Sequence, residues 1–188
     1  NYWIDISGIE LFEIIGTCVD SSGLGIDTLT NEYSEIGETL SGIGTNSSDY
    51  VHCSSISSLL VSSYKSSSKT KDLSLYEDQK ASIEEALGIE DININPYDSS
   101  ITDDSALEIS TANLKLGSLK DSIKAVFKKN TDLSGNIYEE NLKDSIASEL
   151  IDSSGLIYLD DTNFIENIIE KTSNKSGITD SSGEITKL

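Results

Sequence analysis

A short oxygen-rich motif is the feature of this sequence best placed to do chemistry. The tetrapeptide Asp-Xaa-Ser-Gly begins at Asp20, Asp132, Asp152 and Asp180. Asp and Ser side chains cap turns, and Gly takes the left-handed conformation that many turns require, so the motif predicts four turns. The same carboxylate and hydroxyl oxygens are ligands that Ca²⁺ accepts. Turn formation and calcium binding are therefore both open interpretations of the repeat.

The second copy of the motif lies in a stretch that resembles a known calcium-binding loop. Residues 130–141 resemble an EF-hand loop, with oxygen-bearing side chains at loop positions 1, 3, 5 and 12 and Gly135 at position 6. The residues that follow are similar to the single-helix calcium repeats of dockerin-type modules. Asn141 stands where the EF-hand has a bidentate Glu, so the resemblance implies a weak calcium site in an extracellular setting. The candidate ligands are Asn130, Asp132, Ser134, Asn136 and Asn141.

The residues that most often carry catalysis are scarce. His52 is the only histidine, which excludes a His-rich metal centre. Cys18 and Cys53 are the only cysteines, and both a single disulfide and two buried free thiols are open interpretations. On a strand, the adjacent side chains of His52 and Cys53 point to opposite faces and form no shared site. None of the 33 Ser residues lies in a Gly-Xaa-Ser-Xaa-Gly elbow. We therefore expect a protein that is not an enzyme.

The charge of the chain excludes several classes of partner. There are 33 acidic residues and 13 basic ones, all of them Lys, and the net charge is −20. Phosphate backbones and anionic lipids attract clustered basic residues, so neither nucleic acid nor a membrane surface is an expected partner. The apolar runs are far shorter than the roughly 20 residues that span a bilayer, so no membrane insertion is expected. The expected partner is a second copy of the chain or another structural protein.

The elements that must position these residues change in character along the chain. Residues 1–61 are rich in Gly and free of Lys, and the alternation of Tyr2, Ile4 and Ile6 predicts a strand. Residues 62–74 are rich in Ser and Lys, which indicates a solvated linker or loop. Residues 75–188 are predicted to be mainly helical, with the turn motifs and a C-terminal tail. The expected fold class is α+β, a Gly-rich and mainly strand N-terminal part joined to a mainly helical C-terminal part.

Helix boundaries in the second half can be predicted from a few residues. Gly88 follows an apolar stripe of helical spacing and is placed as its C-cap. Ser105 and Glu108 have the spacing of a capping box and predict the start of the next helix. Gly117 then weakens that helix by roughly 1 kcal/mol and is a candidate break.

The sequence as a whole favours a non-enzymatic structural or assembly protein. Such a protein would be a virion component, an extracellular filament subunit or a surface-layer component, located outside the cell or in a virion. The richness in Ser, Thr, Asn and Gly and the scarcity of catalytic residues support this interpretation. The alternative is a calcium-dependent extracellular binding or adhesion module built on the degenerate loop at 130–141.

Overall fold

The protein is mainly helical. A computed structural model describes residues 11–16, 24–27, 32–35, 40–45, 51, 53–67, 72–94, 103–130 and 135–178. Of the residues whose side chains are described, 74% lie in five helices. The α+β prediction, with a strand-dominated N-terminal part, is therefore wrong.

Nine elements follow one another along the described chain. The helices are α1 Ser55–Ser67, α2 Leu73–Leu87, α3 Asp103–Asn130, α4 Gly135–Asp152 and α5 Thr162–Ser176. The strands are β1 Leu11–Gly16, β2 Leu24–Asp27, β3 Glu32–Glu35 and β4 Leu40–Thr45. Strand β1 pairs antiparallel with β4, with Leu11 opposite Thr45, and β2 pairs antiparallel with β3, with Leu24 opposite Glu35. The alternation at Tyr2, Ile4 and Ile6 lies outside the described residues.

Helix α1 explains why the fold-class prediction failed. Every residue from 56 to 64 is buried, so this helix has no solvent face over more than two turns. A helix buried all round lies in the centre of a fold, and α1 indeed contacts α2, α3, α4 and β4. Residues 62–67, which were expected in a linker, are the last turns of this central helix. The division of the chain at 61 and 74 into separate regions stays a prediction.

The buried serines of α1 have partners for their hydroxyl groups. Ser58 Oγ donates to the carbonyl of Ser54 at 2.7 Å and accepts the backbone N–H of Ser41 in β4 at 2.9 Å. Ser57 Oγ donates to the carbonyl of Ser41 at 2.8 Å. Because a satisfied hydroxyl is cheap to bury and small enough for close packing, serine serves here as a core residue. A solvated linker was predicted from residue 62 onwards, but Ser62 and Ser63 are buried in α1 as well.

Large apolar side chains from all five helices form the core around α1. The largest fully buried side chains are Phe127, Ile56, Leu59, Leu60, Ile83, Ile92, Ile109, Leu116, Leu142, Ile146, Leu150 and Ile168. They come from α1, α2, α3, α4, α5 and the segment after α2, and they form one cluster. None of the helices in the described ranges has both the length and the apolar character needed to cross a membrane.

Two of the three helix-boundary predictions are wrong. Gly88 caps α2 in the left-handed conformation, with φ of 65°, so that prediction is confirmed. Helix α3 begins at Asp103 instead of at a capping box, and Ser105 lies inside it and donates to Glu90 at 3.3 Å. The helix also continues through Gly117 without a break. Packing of the apolar face of α3 on the core outweighs the weak helix propensity of one glycine.

Candidate protein-docking groove

An open groove lies where α4 ends and α5 begins. Its volume is about 350 Å³. It is formed by the last turn of α4, the connecting residues 153–161 and the first turns of α5. The lining residues are Glu149, Asp152, Ser153, Leu156, Ile157, Tyr158, Asp161, Phe164 and Asn167.

Local backbone chemistry gives the connecting segment its shape. After α4 ends, Ser153 Oγ donates to the carbonyl of Leu150 at 2.7 Å, and Gly155 turns the chain with φ of 100°. Asp161 then starts α5, because its carboxylate accepts the backbone N–H of Phe164 at 3.0 Å. The third copy of the Asp-Xaa-Ser-Gly motif is therefore a turn, as one interpretation predicted. Its Asp152 does not cap that turn and accepts instead from Lys171 at 3.4 Å.

The connecting segment is docked on the C-terminal end of α2. The backbone N–H of Ile157 donates to the carbonyl of Ala86 at 2.8 Å, which occupies one of the terminal carbonyls of that helix. Leu156 lies over the C-cap, so that a Cβ added to Gly88 would lie 2.8 Å from Leu156 Cδ1. The glycine cap of α2 therefore makes room for a side chain that lines the groove.

Two large apolar side chains stand exposed at the groove. Leu156 is 60% exposed and Tyr158 is 71% exposed, and they are only two residues apart. Phe164 is buried beneath them, so the groove has an apolar floor joined to the core. Most large apolar side chains of the described chain are buried, which makes this exposed pair a candidate contact for another molecule.

The groove carries an excess of negative charge. Its lining includes three carboxylates, those of Glu149, Asp152 and Asp161. One cation compensates: Lys171 Nζ lies 2.6 Å from Glu149 Oε1 and 3.4 Å from Asp152 Oδ2. Burial alone would lower the pKa of Lys171, but the hydrogen bonds and charges of Glu149 and Asp152 raise it above its ordinary value. Because Lys171 is fully charged at neutral pH, three carboxylates and one ammonium leave two negative charges in excess.

A second cluster of charged side chains lies between α2 and residues 88–94. Lys80 Nζ is 3.0 Å from Glu84 Oε1 and 3.0 Å from Asp91 Oδ1. Burial alone would lower the pKa of Lys80, but hydrogen bonds to Asp91 and Glu84 raise it to about 12. Burial raises the pKa of Glu84, and this effect exceeds the lowering caused by the hydrogen bonds from the N–H of Ile92 and from Lys80. The carboxylates have their partners within the cluster, which holds the segment after α2 in place.

The predicted calcium ligands are described only in part. Asp132 and Ser134 lie outside the described residues, and Asn130 and Asn136 are described by their backbone alone, at the end of α3 and in the first turn of α4. The side-chain amide of Asn141 donates to Ser176 Oγ in α5 at 2.9 Å. Calcium binding at this loop stays a prediction. The motif copies at Asp20 and Asp180 also lie outside the described residues.

The described ranges include few of the other residues that were considered as catalytic or metal-binding candidates. His52 and Cys18 lie outside these ranges, and Cys53 is half-buried just before α1. Among the described side chains, no group of three or more His, Cys, Asp or Glu is arranged to hold a metal ion.

Sequence reasoning did not find the groove. Leu156 and Tyr158 belong to an apolar run, residues 156–159, and apolar residues normally enter the core. In the structure, Ile157 is partly buried on the core while its two neighbours are exposed. The available signal was an apolar run between Gly155 and two acids, too short for an element of its own.

No family model, no curated protein and no solved structure matches this chain.

Proposed function

We propose that this protein is a non-enzymatic assembly component that docks a basic segment of another structural protein in the groove between α4 and α5. The exposed pair Leu156 and Tyr158, set beside three carboxylates that share the charge of Lys171, is the observation that carries the proposal. The proposed setting is a virion, an extracellular filament or a surface layer, where proteins meet through repeated surface contacts.

Charge and apolar surface together define the chemistry of the occupant. A segment with a Leu or aromatic side chain would cover Leu156 and Tyr158 and remove apolar area from water. A neighbouring Lys or Arg would meet the negative excess beside Asp152 and Asp161. The exposed ring of Tyr158 also suits such a cation, since a cation over an aromatic face is attracted by its quadrupole. An acidic occupant would be repelled by the groove and by the net charge of −20.

The groove is held in shape before any partner arrives. Its connecting segment is attached at both ends to helices and in the middle to α2 through Ile157 and the carbonyl of Ala86. Its acidic wall is fixed by Lys171 and by Asn167, which donates to Glu149 at 3.2 Å. A surface that is already ordered loses little conformational entropy on binding, which favours docking.

A synthetic peptide of alternating Lys and Leu tests the proposal directly. We expect amide chemical-shift changes confined to residues 149–167 when this peptide is added to the ¹⁵N-labelled protein. The counterpart with Glu in place of Lys should cause none. Raising the salt concentration should weaken binding without abolishing it, because the charge term is screened while the apolar contact remains.

Matched leucine variants separate the groove from the rest of the surface. Leu156→Ala and Tyr158→Ala should each weaken peptide binding by about tenfold, the effect of losing roughly 1.4 kcal/mol of contact. Leu107→Ala removes an equally exposed leucine, 66% exposed on α3, and should leave peptide binding unchanged. Shifts that spread over the acidic surface, or equal binding of the Glu peptide, would overturn the proposal.

A further inference from the structure

The solvent face of α3 carries two exposed leucines. Leu107 is 66% exposed and Leu114 is 55% exposed, and both project away from the face that buries Ile109, Leu116 and Ile123. They are seven residues apart, so at 1.5 Å per residue they lie about 10.5 Å apart along one side of the helix. They are one heptad apart and so lie on the same side of α3, while the next position of that series is the exposed Asp121.

Small residues flank the two leucines. Thr111 and Ser118 lie on the same side of α3, because each follows a leucine by four residues. Gly117 stands next to them, and a Cβ placed there would meet nothing within 4 Å. A second helix can therefore approach α3 closely along this side. We call Leu107, Thr111, Leu114 and Ser118 the α3 face.

The exposed charges beside the α3 face change sign along the helix. Asp104 and Glu108 lie towards its N-terminus and Lys115 lies beyond the middle, all three exposed and, by their spacing, on the same flank. In a parallel pair of α3 helices, the twofold axis runs along the helices and places this flank of the two copies on opposite sides of the contact, so Lys115 does not meet Glu108 or Asp104 of the second copy. In an antiparallel pair with Leu107 level with Leu114 of the second copy, Lys115 comes level with residue 106. That position lies between Asp104 and Glu108 of the second copy, and the twofold symmetry makes the same contact twice.

We propose that the α3 face binds the α3 face of a second copy of this chain in an antiparallel pair. The inference rests on the proposed assembly function and names one of its partners. Leu107 packs against Leu114 of the second copy, and Lys115 pairs with Glu108 and Asp104 across the twofold axis. Two exposed leucines per copy are few for a permanent interface, and the net charge of −20 on each copy opposes association, so the dimer is weak and forms as concentration rises.

Sedimentation equilibrium over a wide range of protein concentration, at 0.15 M salt, tests this dimer. The wild-type chain should approach the mass of a dimer as concentration increases. Leu107→Asp and Leu114→Asp should each weaken association by at least about tenfold, because they place a charge in the apolar contact. Circular dichroism checks that both variants stay folded, which their solvent exposure favours.

A charge exchange tests the antiparallel orientation. Glu108→Lys and Lys115→Glu should each weaken the dimer, and the variant carrying both changes should restore it. Glu166→Lys, an equal charge change at an exposed position of α5, is the control and should leave association unchanged. A wild-type chain that stays monomeric at all concentrations, or a double variant no better than the single ones, would overturn the inference.

The two proposals can fail separately. Leu107→Asp should weaken the dimer while the Lys-Leu peptide still shifts residues 149–167, and Leu156→Ala should weaken peptide binding while the dimer still forms. A monomeric wild-type chain that binds the peptide would reject the α3 dimer and leave the groove standing. A dimer that ignores the peptide would reject the groove alone.

Discussion

The C-caps of α2 and α5 offer a closely matched pair of substitutions. Gly88 and Gly177 have φ of 65° and 66°, and each cap N–H donates to two carbonyls of the last turn. They differ in their surroundings: a Cβ at Gly88 would lie 2.8 Å from Leu156 Cδ1, whereas a Cβ at Gly177 would meet nothing within 4 Å. Gly88→Ala therefore adds a steric contact to a backbone cost that Gly177→Ala shares.

The size of the effect follows from these two terms. An alanine in the left-handed conformation costs about 1–2 kcal/mol, and both variants should lose that much stability. In Gly88→Ala, Leu156 Cδ1 must also retreat from 2.8 Å to an ordinary contact distance of at least 3.4 Å. Leu156 is mostly exposed and can turn outward, so the extra cost is that of a changed rotamer, about 0.5–1 kcal/mol. The larger consequence is that Leu156 leaves its place in the groove.

Urea denaturation measures the loss of stability, and peptide binding measures whether Leu156 has left its place in the groove. Gly88→Ala should be the less stable variant by about 0.5–1 kcal/mol, and Leu156→Ala in the same chain should remove that difference. Only Gly88→Ala should weaken binding of the Lys-Leu peptide. Equal stability and equal peptide binding in the two glycine variants would refute the view that the α2 cap supports the groove.

Further outcomes are expected for the Lys80 cluster, for the buried Ser58 and for the predicted calcium loop. Lys80→Met should cost about 2 kcal/mol at pH 7, and the loss should shrink as pH falls through the raised pKa of Glu84 and that carboxylate is protonated; urea titrations across pH check this. In the wild-type chain, the raised pKa of Lys80 adds stability below pH 10.5, and this stability disappears as pH rises towards about 12. Between these pH values, the melting temperature of Lys80→Met should therefore fall less with pH than that of the wild-type chain. Ser58→Ala should lower the free energy of unfolding by about 1 kcal/mol, because it leaves the N–H of Ser41 without the Ser58 acceptor. An unchanged melting temperature would refute the role given to the buried serines. If the loop at 130–141 binds calcium, the ion at ten times its Kd should stabilise the fold by about 1.4 kcal/mol relative to EDTA, and Asp132→Ala should abolish that gain.

The helices of the second half were predictable because their apolar residues recur with helical period. The stripe that ends at Gly88 predicted α2 and its cap, since only Gly takes the left-handed conformation at low cost. The start of α3 was not predictable from Ser105 and Glu108. A capping box is a local preference of about 1 kcal/mol, and the packing of α3 on the core extends the helix past it.

The central helix α1 shows where sequence reasoning fails. Serine is common in linkers because it is small and polar, and the Ser-rich run from residue 54 has that composition. The same two properties allow burial where a carbonyl such as that of Ser41 is within reach. The sequence shows that a hydroxyl group is present, but the hydrogen-bond partner of that hydroxyl group lies in a different element of the fold.

The sequence by itself determined the absence of Arg, the net charge of −20 and the periodic apolar stripes of the C-terminal helices. These properties depend on residue type and local spacing, and they limit the partners before any fold is known. Only the tertiary structure decided that α1 lies in the core and that Leu156 and Tyr158 are exposed above an acidic groove. The physical reason is that burial depends on which distant elements meet: Ile157 binds the end of α2, and that contact leaves its two neighbours facing solvent.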